Sequence, residues 1–354
     1  MTQPLRLLIV GLGRIGTYHA QHALELNEQG APIQLAAIVD PAQEATTALA
    51  SVGGSSRGPN IPVFSTIPEA LAATEVDAAV VASPTQLHRE HAQELVSAGC
   101  RVLVEKPLTP SLEEDRAFCR NLERKHPNSV MLAFQRRFDA PLQHAKDLLD
   151  RGSIGRPFKY VSVLEDSRLM PPGYQSPGLL ADMSVHNVDE VLWLSGANAL
   201  RAQATGFRLY SQAITTVEED FDDALLQLWL EDGAVAQIQV SRNHVAGYRV
   251  ETWIFGEEGV IQVGSFQQNP HEATVTAFGR EAPIDRRSFR LRDYGPGPEF
   301  IDRFGDAYAA ELQNFLEHCQ AGSPFRVGHR DALRAMEVIA AGTTSIRTGR
   351  TITL

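Results

Sequence analysis

Two groups of polar residues in this chain have the types and spacing that acid–base chemistry needs. Asp182 and His186 are four residues apart, so on a helix they share one face. An imidazole is the side chain best suited to take a hydroxyl proton near neutral pH, and a carboxylate beside it orients the ring and supports its cationic form. The plainer alternative makes Asp182 a helix cap and His186 a packed helix residue. Lys106 ends an apolar run and precedes a proline, in Glu105-Lys106-Pro107. An ammonium held there can stabilise an alkoxide or favour the charged form of a neighbouring acid, whereas a surface lysine does neither. His88 follows another apolar run and faces the same choice between a ligand contact and simple packing. No His, Cys, Asp or Glu set has metal-ligand spacing, so no metal is expected. No G-x-S-x-G is present, and the cysteines lack the polar company of a nucleophile.

These residues need elements that carry them to one place. Residues 5–10 form a short continuous apolar run, as in a parallel strand buried on both faces. Gly11-Leu12-Gly13-Arg14-Ile15-Gly16 follows at once. Gly11 permits a tight turn, Gly13 lets backbone approach a pyrophosphate, and Gly16 lets the next helix pack against the strand. The helix expected over 14–26 then offers free N–H groups and the positive end of its dipole to an anion. A second strand, 33–39, ends at Asp40, where a dinucleotide-binding fold places its acceptor for ribose hydroxyls. A carboxylate there repels a 2′-phosphate, so NAD is expected in preference to NADP, with Arg14 as an opposing charge.

Strand and helix go on alternating: helix 42–51, strand 62–64, helix 68–73, strand 78–82, strand 101–104, helix 111–125 and strand 130–134. Six strands with intervening helices predict a doubly wound parallel sheet, whose ligands bind at the carboxyl ends of the strands. Residues 11–16, Asp40, Ser83-Pro84-Thr85, Glu105-Lys106-Pro107 and Gln135-Arg136-Arg137 all fall at such ends. The expected cofactor contacts are therefore Gly11, Leu12, Gly13, Arg14, Ile15, Gly16, Asp40, Ser83, Pro84, Thr85, His88, Glu105, Lys106 and Gln135.

From about residue 139 the texture changes. A helix to 151 leads to an alternating strand, 158–164, a Pro-rich loop, 171–178, and the stretch holding Asp182 and His186. Runs 224–230 and 234–240 flank Glu231-Asp232-Gly233, a strong hairpin signal. Runs 249–255 and 260–263 suggest another antiparallel pair, and helices 299–320 and 329–346 precede a last strand at 351–354. The expectation is an α/β chain with two domains: a parallel-sheet nucleotide domain, 1–135, and an α+β domain, 136–354, built on an open, largely antiparallel sheet. One face of that sheet should carry helices and a cleft. The other, assigned here to Leu226, Leu228, Leu230, Ile238 and Val240, needs a cover.

Whole-chain properties narrow the classes further. At 354 residues and 43% hydrophobic, the chain can build sizeable cores. Its net charge of -11 is spread along the sequence, which argues against nucleic acid and anionic membrane as partners. Cys100, Cys119 and Cys319 are odd in number and far apart, which suits a reducing, cytoplasmic setting. Neither a signal peptide nor a membrane span is expected. Residues 53–59 form the one loop-like polar insertion.

Taken together, Gly11 to Gly16 with Tyr18-His19-Ala20, Ser83-Pro84-Thr85 with His88, Glu105-Lys106-Pro107, Phe134-Gln135-Arg136-Arg137-Phe138-Asp139 and Asp182-Met183-Ser184-Val185-His186 resemble the glucose-fructose oxidoreductase/inositol dehydrogenase (Gfo/Idh/MocA) family. The likeness extends to Arg303-Phe304, Tyr308, Glu311 and Gly349-Arg350, and is greatest to inositol 2-dehydrogenases. It implies a Rossmann domain, a catalytic triad of Lys106, Asp182 and His186, and sheet-to-sheet homodimers often paired into homotetramers. The expected activity is NAD-dependent hydride transfer from a cyclic polyol or sugar, most simply inositol. Lys106, Arg136, Asp166, Asp182, His186 and His244 are the expected substrate contacts. Glucose, another pyranose or an anhydrosugar is the alternative substrate, and a non-catalytic ligand sensor on the same fold is the alternative class.

Overall fold

The protein is described from a computed structural model, over residues 3–42, 61–166, 177–208, 220–265, 271–295 and 299–354. Nearly all of the expected helix 42–51, the insertion 53–59 and most of loop 171–178 lie outside the described residues. The chain forms two compact units, Met1–Phe134 with Tyr308–Leu333, and Gln135–Ala307 with Arg334–Leu354.

In the first unit the strands are β1 (Leu5–Val10), β2 (Ile33–Val39), β3 (Val63–Phe64), β4 (Ala78–Val81), β5 (Arg101–Val104) and β6 (Val130–Leu132). They pair in parallel in the order β3-β2-β1-β4-β5-β6. The order reverses between β1 and β4, which makes the crevice at their carboxyl ends the natural ligand position. Both sheet faces are covered, because α1 (Arg14–Glu28), α2 (Ile67–Ala73), α3 (Thr85–Ser97) and α4 (Leu112–Lys125) alternate with the strands. The central strands are accordingly almost uniformly apolar, and Leu7 to Val10 and Ala78 to Val81 are at most 1% exposed. Local signals set the helix starts. Ser111 accepts from the Glu114 N–H, and acids in the first turn of α4 with Arg124 and Lys125 in its last complement the helix dipole.

In the second unit, α5 (Ala140–Asp150), capped by Asp139, leads to β7 (Pro157–Glu165). A π-helical turn, Leu180–Ser184, runs directly into α6 (Val185–Ser195), which Gly196 ends at φ +69°. Next come β8 (Ala199–Phe207), β9 (Asp223–Leu230), β10 (Val235–Ser241), β11 (Arg249–Gly256), β12 (Gly259–Val263), β13 (Glu272–Gly279) and β14 (Pro283–Arg290). Helices α7 (Glu299–Ala321) and α8 (His329–Thr348) precede β15 (Ile352–Thr353). The nine strands form one sheet in the order β14-β13-β12-β11-β7-β10-β9-β8-β15, antiparallel except for the β7–β10 pair.

The expected facing of this sheet is wrong. Leu226, Leu228, Leu230, Ile238 and Val240 are only 0–2% exposed in the single chain. The register explains it: Leu226, Ile238, Ser162 and Thr252 stand in one cross-strand row, and Ser162 and Thr252 bond to Glu190 of α6. That row faces the helices. The opposite face carries Val161, Leu225, Gln227, Trp229, Gln237, Trp253 and Phe255, a mixture of aromatic, aliphatic and amide groups. There Lys159 lies over Phe255 and Arg201 over Trp229.

Candidate active site

The first unit presents its polar groups at strand ends, mostly through backbone. Gly11 has φ +94°, and a Cβ there would lie 2.7 Å from the Ala82 carbonyl oxygen. A Cβ on Gly16 would come within 1.9 Å of the Gly11 oxygen, so only glycine lets α1 start this close to β1. Around Gly13 there is open space, with nothing within 4 Å of an added Cβ. Among the described residues no side chain caps α1 and no acid stands in its first turn, the kind of helix start that suits an anion. Asp40 is fixed by two backbone donors, Leu12 N–H to Oδ2 at 2.6 Å and Ala42 N–H to Oδ1 at 2.8 Å. Its carboxylate is thereby tied to the glycine turn itself.

The Ser83 and Lys106 strand ends are knitted together by histidines. His88 is 2% exposed, with Nδ1 2.8 Å from the Pro107 carbonyl oxygen and Nε2 2.8 Å from that of Ser83. Burial pushes its pKa below the usual value, against the pull of those two carbonyls. Both ring nitrogens face backbone carbonyls, to one of which a neutral ring donates, and His88 holds the loops rather than presenting a free edge. Glu105 stands between the Lys106 N–H, 3.3 Å from Oε2, and His19 Nε2, 3.0 Å from Oε1. His19 is fully buried and meets Tyr308 edge to face. Lys106 itself is half-buried at this strand end.

In the second unit the groups are side chains in a buried ionic frame. Asp182 lies in the π-turn and His186 one turn later at the start of α6, each 9% exposed. The helix that carries them is clamped by the 3-10 turn Gln135–Phe138. Arg136, 1% exposed, bonds Glu190 at 2.6 Å, and Arg137 makes a two-pronged contact with Asp189. Glu190 also accepts from Ser162, which in turn accepts from Asn187. On the other side of the π-turn, Arg242 reaches Asp182 Oδ2 at 3.1 Å and Asp220 Oδ2 at 3.5 Å. Asp220 Oδ1 accepts the Leu179 N–H at 2.8 Å.

The expected substrate contacts Asp166 and His244 are brought together, since the His244 N–H donates to the Asp166 carbonyl. The His244 ring turns back onto Gly247 O at 2.6 Å, with Nε2 3.8 Å from Glu165. Arg136 points at Glu190, deep in the frame. Gln135 is 4% exposed, and its Oε1 has no partner among the described residues. Tyr248 stands near Arg136, Arg303 and Asp166, and burial pushes its phenol far above the ordinary range.

Sequence reasoning gave His19 no role of its own and passed over Glu190, Asp220 and Arg242. Arg242 did leave a signal. It is in phase with Ala236, Ile238 and Val240 along β10, so alternation puts its charge on the core face, where an arginine needs partners.

Residues 5–134 match the pattern of an oxidoreductase family with an NAD-binding Rossmann fold, and residues 146–354 match that family's C-terminal alpha/beta domain. The chain belongs to the Gfo/Idh/MocA oxidoreductase family. It is 30% identical to the scyllo-inositol 2-dehydrogenase (NAD(+)) of Bacillus subtilis over 100% of this chain and 97% of that one. It is 28% identical to the myo-inositol 2-dehydrogenase of Thermotoga maritima over 99% and 98% of the two chains. Its fold superposes on the crystal structure of a myo-inositol dehydrogenase from Corynebacterium glutamicum with a TM-score of 0.82, at 27% identity, over 99% of each chain.

This Gfo/Idh/MocA member is an NAD-dependent oxidoreductase, and its glycine cradle, uncapped helix start and Asp40 suit a dinucleotide's phosphates and ribose. Among the described residues no helix is long and apolar enough to cross a membrane, and no His, Cys, Asp or Glu group is arranged to hold a metal.

Proposed function

We propose that the chain oxidises a ring hydroxyl of inositol, with Lys106, Asp182 and His186 as the catalytic residues. The observation that carries the reading is the pair Asp182 and His186, nine-tenths buried and one turn apart on a helix locked by the buried charges Arg136, Asp189 and Glu190 and the partly buried Arg137. A sensor has no need of an acid–base pair held so firmly. Full-length similarity to inositol dehydrogenases supports the substrate class.

His186 removes the hydroxyl proton, and Asp182 orients the imidazole and offsets its developing charge. Lys106 donates a hydrogen bond to the substrate oxygen and stabilises negative charge there. NAD, when bound, supplies the hydride acceptor. Gly11, Leu12, Gly13, Arg14, Ile15 and Gly16 hold its phosphates, and Asp40 its adenosine ribose. Ser83, Pro84, Thr85, Glu105 and Gln135 complete its site, with Gln135 Oε1, which has no partner among the described residues, serving as an acceptor for an amide donor. Asp40 excludes a 2′-phosphate, so NADP is the poorer cofactor. Asp166 and His244 line the polyol side, while Arg136 serves it through Glu190.

The uncovered face of the second unit's sheet, which carries the 50% exposed Leu225 and, on the same side, Trp229 and Trp253, is the surface through which we propose the chain dimerises, in a cytosolic setting.

A panel of inositols and pyranoses assayed for NADH formation tests the substrate. Turnover greatest with myo- or scyllo-inositol is expected. Greater turnover of glucose or an anhydrosugar would move the reading to a pyranose dehydrogenase, and no NADH from any of them would overturn it.

A further inference from the structure

The carboxylate beside the proposed base is itself held by a charge that no part of the mechanism above uses. Arg242 follows β10 on the core face of the sheet and is 2% exposed. Its backbone N–H donates to the Asp222 carbonyl at 2.8 Å. Its guanidinium spans two acids: Nη2 is 3.1 Å from Asp182 and Nη1 is 3.5 Å from Asp220. Asp220, 7% exposed, accepts the Leu179 N–H, one residue before the π-turn begins. Gly178 closes the same corner. It has φ +103°, a Cβ on it would meet Asp220 Oδ1 at 3.4 Å, and its carbonyl accepts the Asp182 N–H. Asp182 is therefore fixed by backbone through Gly178 and by side chain through Arg242.

We propose that Arg242 is a positioning residue for the dehydrogenase reaction, holding Asp182 ionised and aimed, with Asp220 as the counter-anchor that keeps the guanidinium from following Asp182. This rests on the proposed roles of Asp182 and His186. A buried carboxylate left alone tends to take up a proton and then no longer supports an imidazolium. A buried guanidinium prevents this because it stays charged, and its planar fork fixes the direction of the acid as well as its ionisation. One positive charge shared by two carboxylates leaves the trio net negative, so Asp182 keeps the sign needed to support His186. The π-turn that carries Asp182 runs directly into α6, which carries His186, so a contact that fixes the one bears on the other.

The test compares wild type, Arg242→Met and Arg242→Lys by steady-state kinetics on whichever polyol the panel selects. NAD affinity is read by fluorescence, folding by thermal melting, and the rate of the chemical step by a deuterium isotope effect on the carbinol hydrogen. Arg242→Met is expected to lower kcat at least tenfold at saturating polyol, to leave NAD affinity within about twofold, and to raise the isotope effect on kcat as hydride transfer becomes slower. Arg242→Lys, which restores the charge but not the fork, should recover part of the loss.

A lower melting temperature with unchanged kcat and isotope effect in the folded protein would overturn the inference, because the residue would then be only a structural strut. Equal losses in the Met and Lys variants would overturn the ionisation half of the argument. A wild-type chain that oxidises no polyol or sugar would overturn the proposed function, and this inference with it, before any variant is compared.

Discussion

In the first unit the groups poised for a ligand are largely backbone: the N–H groups at the start of α1, the glycine turn, and strand ends whose side chains brace one another. In the second they are side chains, and their positions depend on partners far away in sequence, as when Arg303 grips Asp139 through both oxygens across 164 residues. Backbone sites need particular residues only where a Cβ is forbidden, so they tolerate change between fixed points. Side-chain sites need every member of a buried charge network, since a charge that loses its partner in low dielectric costs more than the pair contributes. The two halves should therefore fail in different ways when mutated.

The largest expected effect is on chemistry in the second unit. His186→Ala should lower kcat by roughly 10²- to 10⁴-fold while leaving NAD affinity, which we propose to rest on the backbone groups of the first unit, nearly unchanged. Wild-type oxidation should rise with pH as the imidazole becomes neutral and able to accept a proton. Asp182→Asn should slow the reaction less, because the base remains. A His186→Ala enzyme with normal kcat and the same pH profile would transfer the proton-acceptor role to another group, with neutral Lys106 the first to examine.

Next in size is the frame itself. Arg136→Met strands Glu190 at 0% exposure and should cost about 3–5 kcal/mol in a denaturant melt. Pairing it with Glu190→Met should return much of that stability without restoring activity. A single-variant loss below about 1 kcal/mol would show that surrounding hydroxyls, not the ion pair, carry Glu190.

A comparable test belongs to the first unit, where Asp115 is fully buried in α4 beside Thr109 and burial raises its pKa from 3.8 to about 7. The folded state then binds more protons than the unfolded one between those values, so stability is greatest below the lower value and declines as pH rises through about 7. The span is worth up to about 4 kcal/mol. Asp115→Asn, which mimics the protonated acid, should flatten that decline when melts are compared between pH 4 and 8. An unchanged slope would place the carboxyl in contact with water.

The smallest expected effect is on cofactor choice. Asp40→Ser should narrow the preference for NAD over NADP by at least about tenfold, or ~1.4 kcal/mol. No change on titration of both cofactors would give the discrimination to Arg14 or another base.

The same contrast explains what could be read from the chain. The parallel sheet was legible because each strand is a short apolar run, with the residues expected to meet a ligand directly after it, so local order predicts placement. The Asp-Gly hairpin between β9 and β10 was legible for the same reason. β8, β13 and β14 escaped notice. Alanine and glycine dilute the apolar pattern of β8, and β14 is an exposed strand carrying Arg286, Arg287 and Arg290. The facing of the second sheet was misjudged because alternation gives two faces without saying which one the helices take. That depends on Glu190 reaching Ser162 and Thr252, contacts between residues 28 and 62 apart. Lys106, Asp182 and His186 were singled out by type and spacing, whereas the partners of Glu190 and the two acids that Arg242 meets become evident only once distant strands are in register.

One contact in the first unit bears on how the protein is made. The edge strand β6 does not end at bare solvent: the Leu132 N–H donates to the Val327 carbonyl, and Met131 bridges Gly328. The segment that shields this edge is translated about 195 residues after it, roughly 10–40 s later at ordinary rates of about 5–20 residues per second. While the chain grows on the ribosome, the nucleotide-binding sheet thus carries an open, apolar edge of the kind that recruits strands from other chains. In the folded chain it is the Val327 carbonyl, taking the Leu132 N–H, that closes this edge.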